Sequence, residues 1–512
     1  MLHDLLAITR KVYGVVFLIV FVSISQPLIL NAQPLLFTDH ENGRPVNKIE
    51  KKVTPYQNTL KQSEKEYLWF NRNGLTLSGR TLYWLLADLG WQQIVNINEL
   101  PKESYRQYDR ILTNGFLELI NVDSQKSGLP LASADSRLIQ AVNEDSTDQL
   151  LFSLIPEYKQ INQLRAAISD YRFLSASPWP TLDLNFKPKL GQSHPQVKEI
   201  REILVRLSCL AQNAQQKNRL DIFDSVVISA LKKFQRRHGL VADGELGPQT
   251  YRALQISPKQ RIKQLQVNLW RWFTLPNHPP EKYLVVNIPS YQLSVMEGGE
   301  PILEMKVIVG NSKNQTPQLI TQINRLTFNP SWTPTFNIIK NELIPAYRKD
   351  FLSLKRQNFQ LLKGYWENVQ SREIDQPNLN LMQLLQSYRL VQAPGDNNAL
   401  GYYRFNIPNN HAIYLHDTPV KSLFKKEERA LSHGCVRLEN AGLLAKYLLT
   451  FEKSYDENML FAAIESGKTT HIELSNPLPV YITYQTVWID QQGELRWSPD
   501  IYDLDKKTLK IK

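Results

Sequence analysis

Ile413-Tyr414-Leu415-His416-Asp417-Thr418-Pro419, followed by Ser432-His433-Gly434-Cys435-Val436-Arg437-Leu438, is the most informative stretch of this chain. Ile413 to Leu415 has the apolar and aromatic character of a strand. The second segment places a cysteine directly after a glycine. An unperturbed thiol has a pKa of about 8.5 and is only slightly ionised at neutral pH, so a nucleophilic cysteine needs a neighbouring base. His416 or His433 can supply it. Gly434 lets the backbone approach a substrate carbonyl without a Cβ in the way. The N–H groups of His433, Gly434 and Cys435 are candidate donors to an oxyanion. Two other readings stay open, a core cysteine beside a histidine and a zinc site built from His416, His433 and Cys435. The zinc reading lacks a second cysteine or a short paired spacing. The basic run Lys421, Lys425, Lys426 and Arg429 reads as a solvated face or as a surface for acidic peptides.

Around this centre the period is that of strands. Tyr283 to Ile288, Tyr291 to Met296, Ile302 to Val309, Arg325 to Asn329 and Val480 to Ile489 are rich in β-branched and aromatic residues, and Glu297-Gly298-Gly299-Glu300 can turn one into the next. Between Phe336 and Val391 a helical period returns, with Leu379, Met382, Leu385 and Tyr388 on one face. A helical insertion, 336–391, in a β domain is expected. Its position before Pro394-Gly395 suggests a lid that excludes water from the thiol.

Further upstream, Val197, Ile200, Leu204 and Leu207 mark one helix and Val227, Leu231 and Phe234 a second. Gly247-Pro248-Gln249-Thr250 opens a third, with Pro248 where its missing N–H costs nothing. A connecting helix carries Ile262, Leu265, Leu269 and Trp272. Residues 39–189 show helical spacing, as in Leu82, Leu85, Leu86 and Leu89, and no chemical motif. They read as a mainly helical scaffold. Pro178, Pro180, Pro188, Gly191 and Pro195 punctuate its junction with the next unit.

A length of 512 residues predicts about three domains, and 42% hydrophobic with 21% charged residues is the balance of a folded protein. The net charge of +11 suits an anionic partner. Arg10 and Lys11 precede an apolar run, Val12 to Ile24, which reads as an export signal or an uncleaved anchor within residues 1–36. Two cysteines in a chain bound for an oxidising compartment exclude a disulfide scaffold. Cys209 reads as a buried helical position. Export makes nucleic acid an improbable partner.

The string from Leu231 to Leu254 resembles the three-helix peptidoglycan-binding module, over about 191–256. His416, fifteen intervening residues and Ser432-His433-Gly434-Cys435 resemble the signature of L,D-transpeptidase catalytic domains, over about 281–466. Gln392-Ala393-Pro394-Gly395 and Asn398-Ala399-Leu400-Gly401 agree with it. The whole is similar to the large, multidomain Gram-negative branch of that family. The resemblance implies a multidomain α+β protein with a helical scaffold, a wall-binding module, a β-rich catalytic domain with the 336–391 insertion, and a C-terminal β extension, 467–512. It implies Cys435 as nucleophile and His416 as its base, with Ser432, His433, Gly434 and Arg437 shaping the site and Tyr414 bordering the oxyanion pocket. A third catalytic partner, Asp417 or a backbone carbonyl, stays open. The implied reaction is 3→3 cross-linking of peptidoglycan, with tetrapeptide stems as donor and acceptor and no cofactor. L,D-carboxypeptidase activity and a non-catalytic wall-binding scaffold are the alternatives. A periplasmic location, association with the inner membrane through the N-terminal segment and partnership with peptidoglycan synthases complete the expectation.

Overall fold

Leu284 and Val286 alternate with Tyr283 and Val285, and the two pairs face different neighbours. The first pair belongs to a core enclosed by strands and the second packs on a helical layer. This division organises the protein, because successive side chains of a strand point to opposite faces of its sheet. A computed structural model describes residues 66–91, 100–126, 133–183, 186–212, 220–364, 369–452 and 457–506. The expected signal or anchor, 1–36, lies outside them. Among the described residues no helix is long and apolar enough to cross a membrane.

The helical layer begins with a small hairpin, β1 (Phe70–Asn71) and β2 (Gly74–Leu75). It continues through α1 (Leu77–Asp88), α2 (Tyr105–Lys126), α3 (Ser133–Asn143), α4 (Thr147–Ser153) and α5 (Lys159–Ser175). Leu82, Leu85, Leu86 and Leu89 are buried as their spacing predicts. Asp109 accepts the backbone N–H groups of Leu68 and Trp69, which fastens the incoming chain to α2.

The wall-binding-like unit is α6 (Pro195–Arg206), α7 (Ser225–Arg237) and α8 (Pro248–Gln255) around a core of its own. Pro248 stands in the first turn of α8, as expected. Asp224 caps α7 by accepting from Val226 and Val227. Buried Gln235 holds the following loop, donating to Asp243 and to the Glu245 carbonyl and accepting from Gly244. Cys209 is buried as expected but not helical. It sits in the turn beyond α6, where Ser208 has a positive φ of 55°. Ser257 and Gln260 then form a capping box that starts α9 (Pro258–Phe273).

The strand-rich region contains β3 (Lys282–Asn287), β4 (Gln292–Glu297), β5 (Glu300–Gly310), β6 (Leu319–Phe328), β10 (Tyr403–Asn406), β11 (Leu415–His416), β12 (Ala430–Ser432), β13 (Val436–Leu438) and β14 (Thr470–Thr483). Hydrogen bonding runs β5-β13-β11-β10-β6-β14-β3-β4 and returns from β4 to β5, so the sheet closes on itself, with β12 added along β5. Among the described residues only β11 with β13, β12 with β5 and β14 with β3 are parallel. The segment 467–512, read as a C-terminal extension, supplies β14, which lies inside the ring between β6 and β3. It also supplies β15 (Val487–Ile489) and β16 (Leu495–Trp497), a hairpin buried against the helical layer. Asn268 of α9 exchanges hydrogen bonds with Thr486, and Arg271 pairs with Asp505 at 2.7 Å, so helix and sheet are tied by polar as well as apolar contacts.

The expected helical insertion proves to be mixed. Phe336–Ile338, a π turn at Ile339–Leu343 and Ile344–Lys349 form a helix. A three-stranded sheet follows, with β7 (Phe359–Lys363) between β8 (Gln370–Arg372) and β9 (Arg389–Gln392). The face seen at Leu379, Met382, Leu385 and Tyr388 yields only the short helix Leu381–Leu384, and Met382 is exposed. The segment has its own core, and it is closed at its neck by mutual backbone hydrogen bonds between Trp332 and Gln392.

Candidate active site

β11 and β13 run side by side, with Leu415 opposite Val436 and His416 opposite Arg437. Leu415 and Val436 are fully buried in the strand-enclosed core. The alternation therefore turns Tyr414 and His416, and likewise Cys435 and Arg437, to the other face of the same two strands. Register aligns His416 with Arg437, and Cys435, one residue before β13, lies near enough to Tyr414 and Arg437 to act on their charge.

His416 is 4% exposed, and its Nδ1 lies 2.5 Å from the backbone carbonyl of Asp417. A carbonyl only accepts, so Nδ1 carries the proton and Nε2 is left as the acceptor. The orienting group is thus the backbone carbonyl and not the Asp417 side chain, whose carboxylate accepts from the Tyr402 N–H and from Lys421 Nζ. Burial, aided by the Arg437 charge, pushes the His416 imidazole down to about 3. Cys435 is half-buried, and burial pushes its thiol up, opposed by the Tyr414 backbone N–H and by Arg437. At neutral pH the resting pair is thiol and neutral imidazole.

The loop that carries Cys435 is over-determined. Ser432, 1% exposed, donates to the Cys435 carbonyl at 2.6 Å and accepts from the Gly434 N–H at 3.0 Å. Gly434 N–H is therefore occupied, which removes it from the expected oxyanion donors and leaves those of His433 and Cys435. Thr316 donates to the Gly434 carbonyl and accepts from the Gly310 N–H. Gly434 has φ +115°, and a Cβ there would meet Ile413 Cδ1 at 3.0 Å. Glycine is demanded by the backbone itself, a stronger reason than the open approach read from the sequence.

His433 does not turn toward His416. Its Nε2 lies 2.5 Å from Glu342 of the π turn, so the insertion touches the motif that holds the cysteine. Tyr414 stacks edge-on to His416 with ring centroids 5.7 Å apart, and burial raises its phenol. The basic run is not a uniform surface. Arg429 is buried and donates to the carbonyls of Val307, Lys426 and Tyr291. Among the described residues no group of three or more His, Cys, Asp or Glu converges as a metal site, and His416, His433 and Cys435 are not one. A cleft of about 480 Å³ between α5, α9 and the outer face of β3 and β4 contains none of the expected site residues.

The sequence reading missed Arg404, Glu342 and Thr316. Arg404 was within reach of it, because Phe405 is apolar in a strand and its neighbour must face the other way.

Residues 281–457 match the family described as L,D-transpeptidase catalytic domain. They are an L,D-transpeptidase catalytic domain. Residues 193–254 match the family described as "Putative peptidoglycan binding domain". A curated relative from Haemophilus influenzae, named "Putative L,D-transpeptidase", is 35% identical over 273 residues, which cover 52% of this chain and 54% of that protein. The chain thus spans about half the length of that relative. Among solved structures, an L,D-transpeptidase from Mycobacterium smegmatis is 15% identical, over 40% of this chain and 60% of that one, with a TM-score of 0.19. One from Xylanimonas cellulosilytica is 13% identical, over 60% of this chain and all of that one, at 0.18. Within the transpeptidase domain, the matched span includes Cys435, His416 and the whole insertion, and it ends before β14.

Proposed function

We propose that the protein is a periplasmic L,D-transpeptidase that forms 3→3 cross-links in peptidoglycan through a thioester on Cys435. The observation that carries this reading is the fixed tautomer of His416, with Nδ1–H on the Asp417 carbonyl and Nε2 free on the face shared with Cys435. Cys435 attacks the carbonyl of the L,D bond in a tetrapeptide stem while Nε2 takes the thiol proton. The developing oxyanion is met by the N–H groups of His433 and Cys435. Collapse breaks the C–N bond, and the imidazolium returns its proton to the departing D-alanine amine. The amine of a second stem then attacks the thioester and gives its proton to His416, and the cross-linked product leaves a regenerated thiol.

The module at 193–254 supports a role in holding the glycan or stem peptide, since its core is separate and its cysteine, Cys209, is buried in that core. The N-terminal segment supports export, with inner-membrane association where it is retained, and peptidoglycan synthases are the partners such a cross-linker meets. The deciding experiment incubates the purified protein with tetrapeptide muropeptides and reads products by mass spectrometry. Dimers joined through two third-position residues are expected. Tripeptides alone would make the protein an L,D-carboxypeptidase, and the absence of both products would reduce it to a wall-binding scaffold.

A further inference from the structure

Arg404, His416 and Arg437 stand in one row across three neighbouring strands, because His416 is the cross-strand partner of Arg404 on β10 and of Arg437 on β13. All three side chains share the face opposite Leu415 and Val436, and Cys435, directly before β13, is close enough to act on the Arg437 charge. Neighbouring strands are about 4.8 Å apart, so the two arginines flank the imidazole within about 10 Å of each other.

Both guanidinium groups are half-buried and without a partner. Burial depresses each below the ordinary arginine value. The Nε of each is buried and unbonded, and no hydrogen bond or ion pair reaches either side chain among the described residues. Arg404 rests on the Tyr414 ring at 5.7 Å. Glu342, whose field reaches Arg437, is held on His433. Other buried arginines each have a partner for the charge, Arg201 in Asp224 and the Ile222 carbonyl, Arg271 in Asp505 and Arg429 in carbonyls, although Arg201 Nε and Arg271 Nη2 are themselves unbonded. A desolvated cation without a counter-ion is costly, and two in one row beside a candidate nucleophile mark a place kept for an anion.

We propose that Arg404 and Arg437 form a carboxylate-binding pair that selects anionic stem peptides, by taking a carboxylate next to the bond that Cys435 cleaves. The inference rests on the acyl transfer proposed above. Two carboxylates of a stem have this chemistry, the C-terminal one of the departing D-amino acid and the side-chain one of the diamino acid whose carbonyl is attacked. A guanidinium meets either in a bidentate fork, and the Tyr414 ring holds Arg404 in place for it.

The test measures binding to the full-length Cys435→Ala protein by calorimetry, so that no turnover intervenes. Three synthetic tetrapeptides are compared: the free acid, the C-terminal amide and the side-chain amide. One of the two amides should bind about 10- to 100-fold more weakly than the acid, and which one does identifies the carboxylate. That penalty should vanish in Arg404→Gln and Arg437→Gln and partly survive in Arg404→Lys. In the cysteine-containing protein, Arg404→Gln should raise KM for the acid far more than it lowers kcat. Equal binding of all three peptides overturns the pair without any variant being needed. So does an amidation penalty that persists in both glutamine variants with parent-like melting. Discrimination against an amide together with a cysteine-containing protein that makes neither dimer nor tripeptide would overturn the acyl-transfer reading and leave the carboxylate pair standing.

Discussion

Cys435 and His416 carry opposite shifts, the thiol raised and the imidazole lowered, and both arise chiefly from burial. A pair poised this way is neutral at rest and transfers its proton only on attack. kcat/KM should therefore stay level between about pH 5 and 8, where an ordinary histidine would already be losing activity to protonation near 6.5. A bell centred on that value, measured with a small donor peptide, would show that the resting state is an ion pair. Cys435→Ala should abolish turnover while melting like the parent, since little volume is lost. His416→Ala should slow acylation by about 100- to 10,000-fold in a stopped-flow assay. His433→Ala should cost far less, because its ring is committed to Glu342. The same burial sets an acid limit on folding. The folded pKa of His416 lies below its unfolded value, and that of buried His238 is likewise depressed by burial. Unfolded chains thus bind protons that the native state refuses. Stability is full above about pH 6.5 and should fall by about 1.4 kcal/mol per pH unit for His416 as pH drops below it, with His238 adding a loss of the same sign. Urea titrations at pH 7 and pH 5 read the loss, and His238→Gln should reduce it.

At the scale of the element, the decisive pieces are the Cys435 loop and the insertion. Gly434→Ala forces a side chain into a positive φ against Ile413, and a loss of at least ~1 kcal/mol with lowered thiol reactivity is expected from melting and alkylation. Residues 336–391 act as a lid in the reading we favour, since they have their own core, join through the Trp332–Gln392 neck and reach the motif at His433. Shortening the three-stranded sheet while keeping the neck should raise hydrolysis relative to cross-linking, because water gains access to the thioester. An unchanged product ratio in a folded variant would leave the segment a packing role only. The strands of the insertion escaped the sequence reading because its apolar residues are few and irregularly spaced. A chance match to helical period at Leu379 to Tyr388 then outweighed the β-branched and aromatic signal that marked the main sheet.

Across the whole molecule, two kinds of junction appear. The wall-binding-like module encloses its own core, whereas the helical layer, α9, the outer faces of β3 and β14, and the β15–β16 hairpin share one. A fragment of residues 178–256, which keeps Trp179 and Leu182 with the core they complete, should fold alone and give a cooperative melt. A fragment of 281–506 should not, because it would expose Tyr283, Tyr481, Val487 and Trp497. Deleting 193–254 should weaken binding to isolated sacculi in a pelleting assay and spare the reactivity of Cys435 toward a neutral alkylating agent. Equal pelleting of both proteins would count against a wall-binding role for the module.

Local sequence information sufficed for part of this protein. The helices of the 193–254 module, the connecting helix and most strands of the transpeptidase domain follow from periodicity, caps and turn residues, and Cys435 with His416 follows from a motif of fixed spacing. Tertiary structure alone decided what depends on register and enclosure. Asp417 serves through its carbonyl because its carboxylate is drawn to Tyr402 and Lys421. Arg429 became a buried brace because β5 and the Tyr291 turn close over it. β14 entered the middle of the ring, and Arg404 came into line with His416, because strand pairing joins residues distant in the chain. No single-chain pattern encodes which strands will be neighbours. That choice is made by the collective burial of two cores, and the row of unpaired charge beside Cys435 exists only once it has been made.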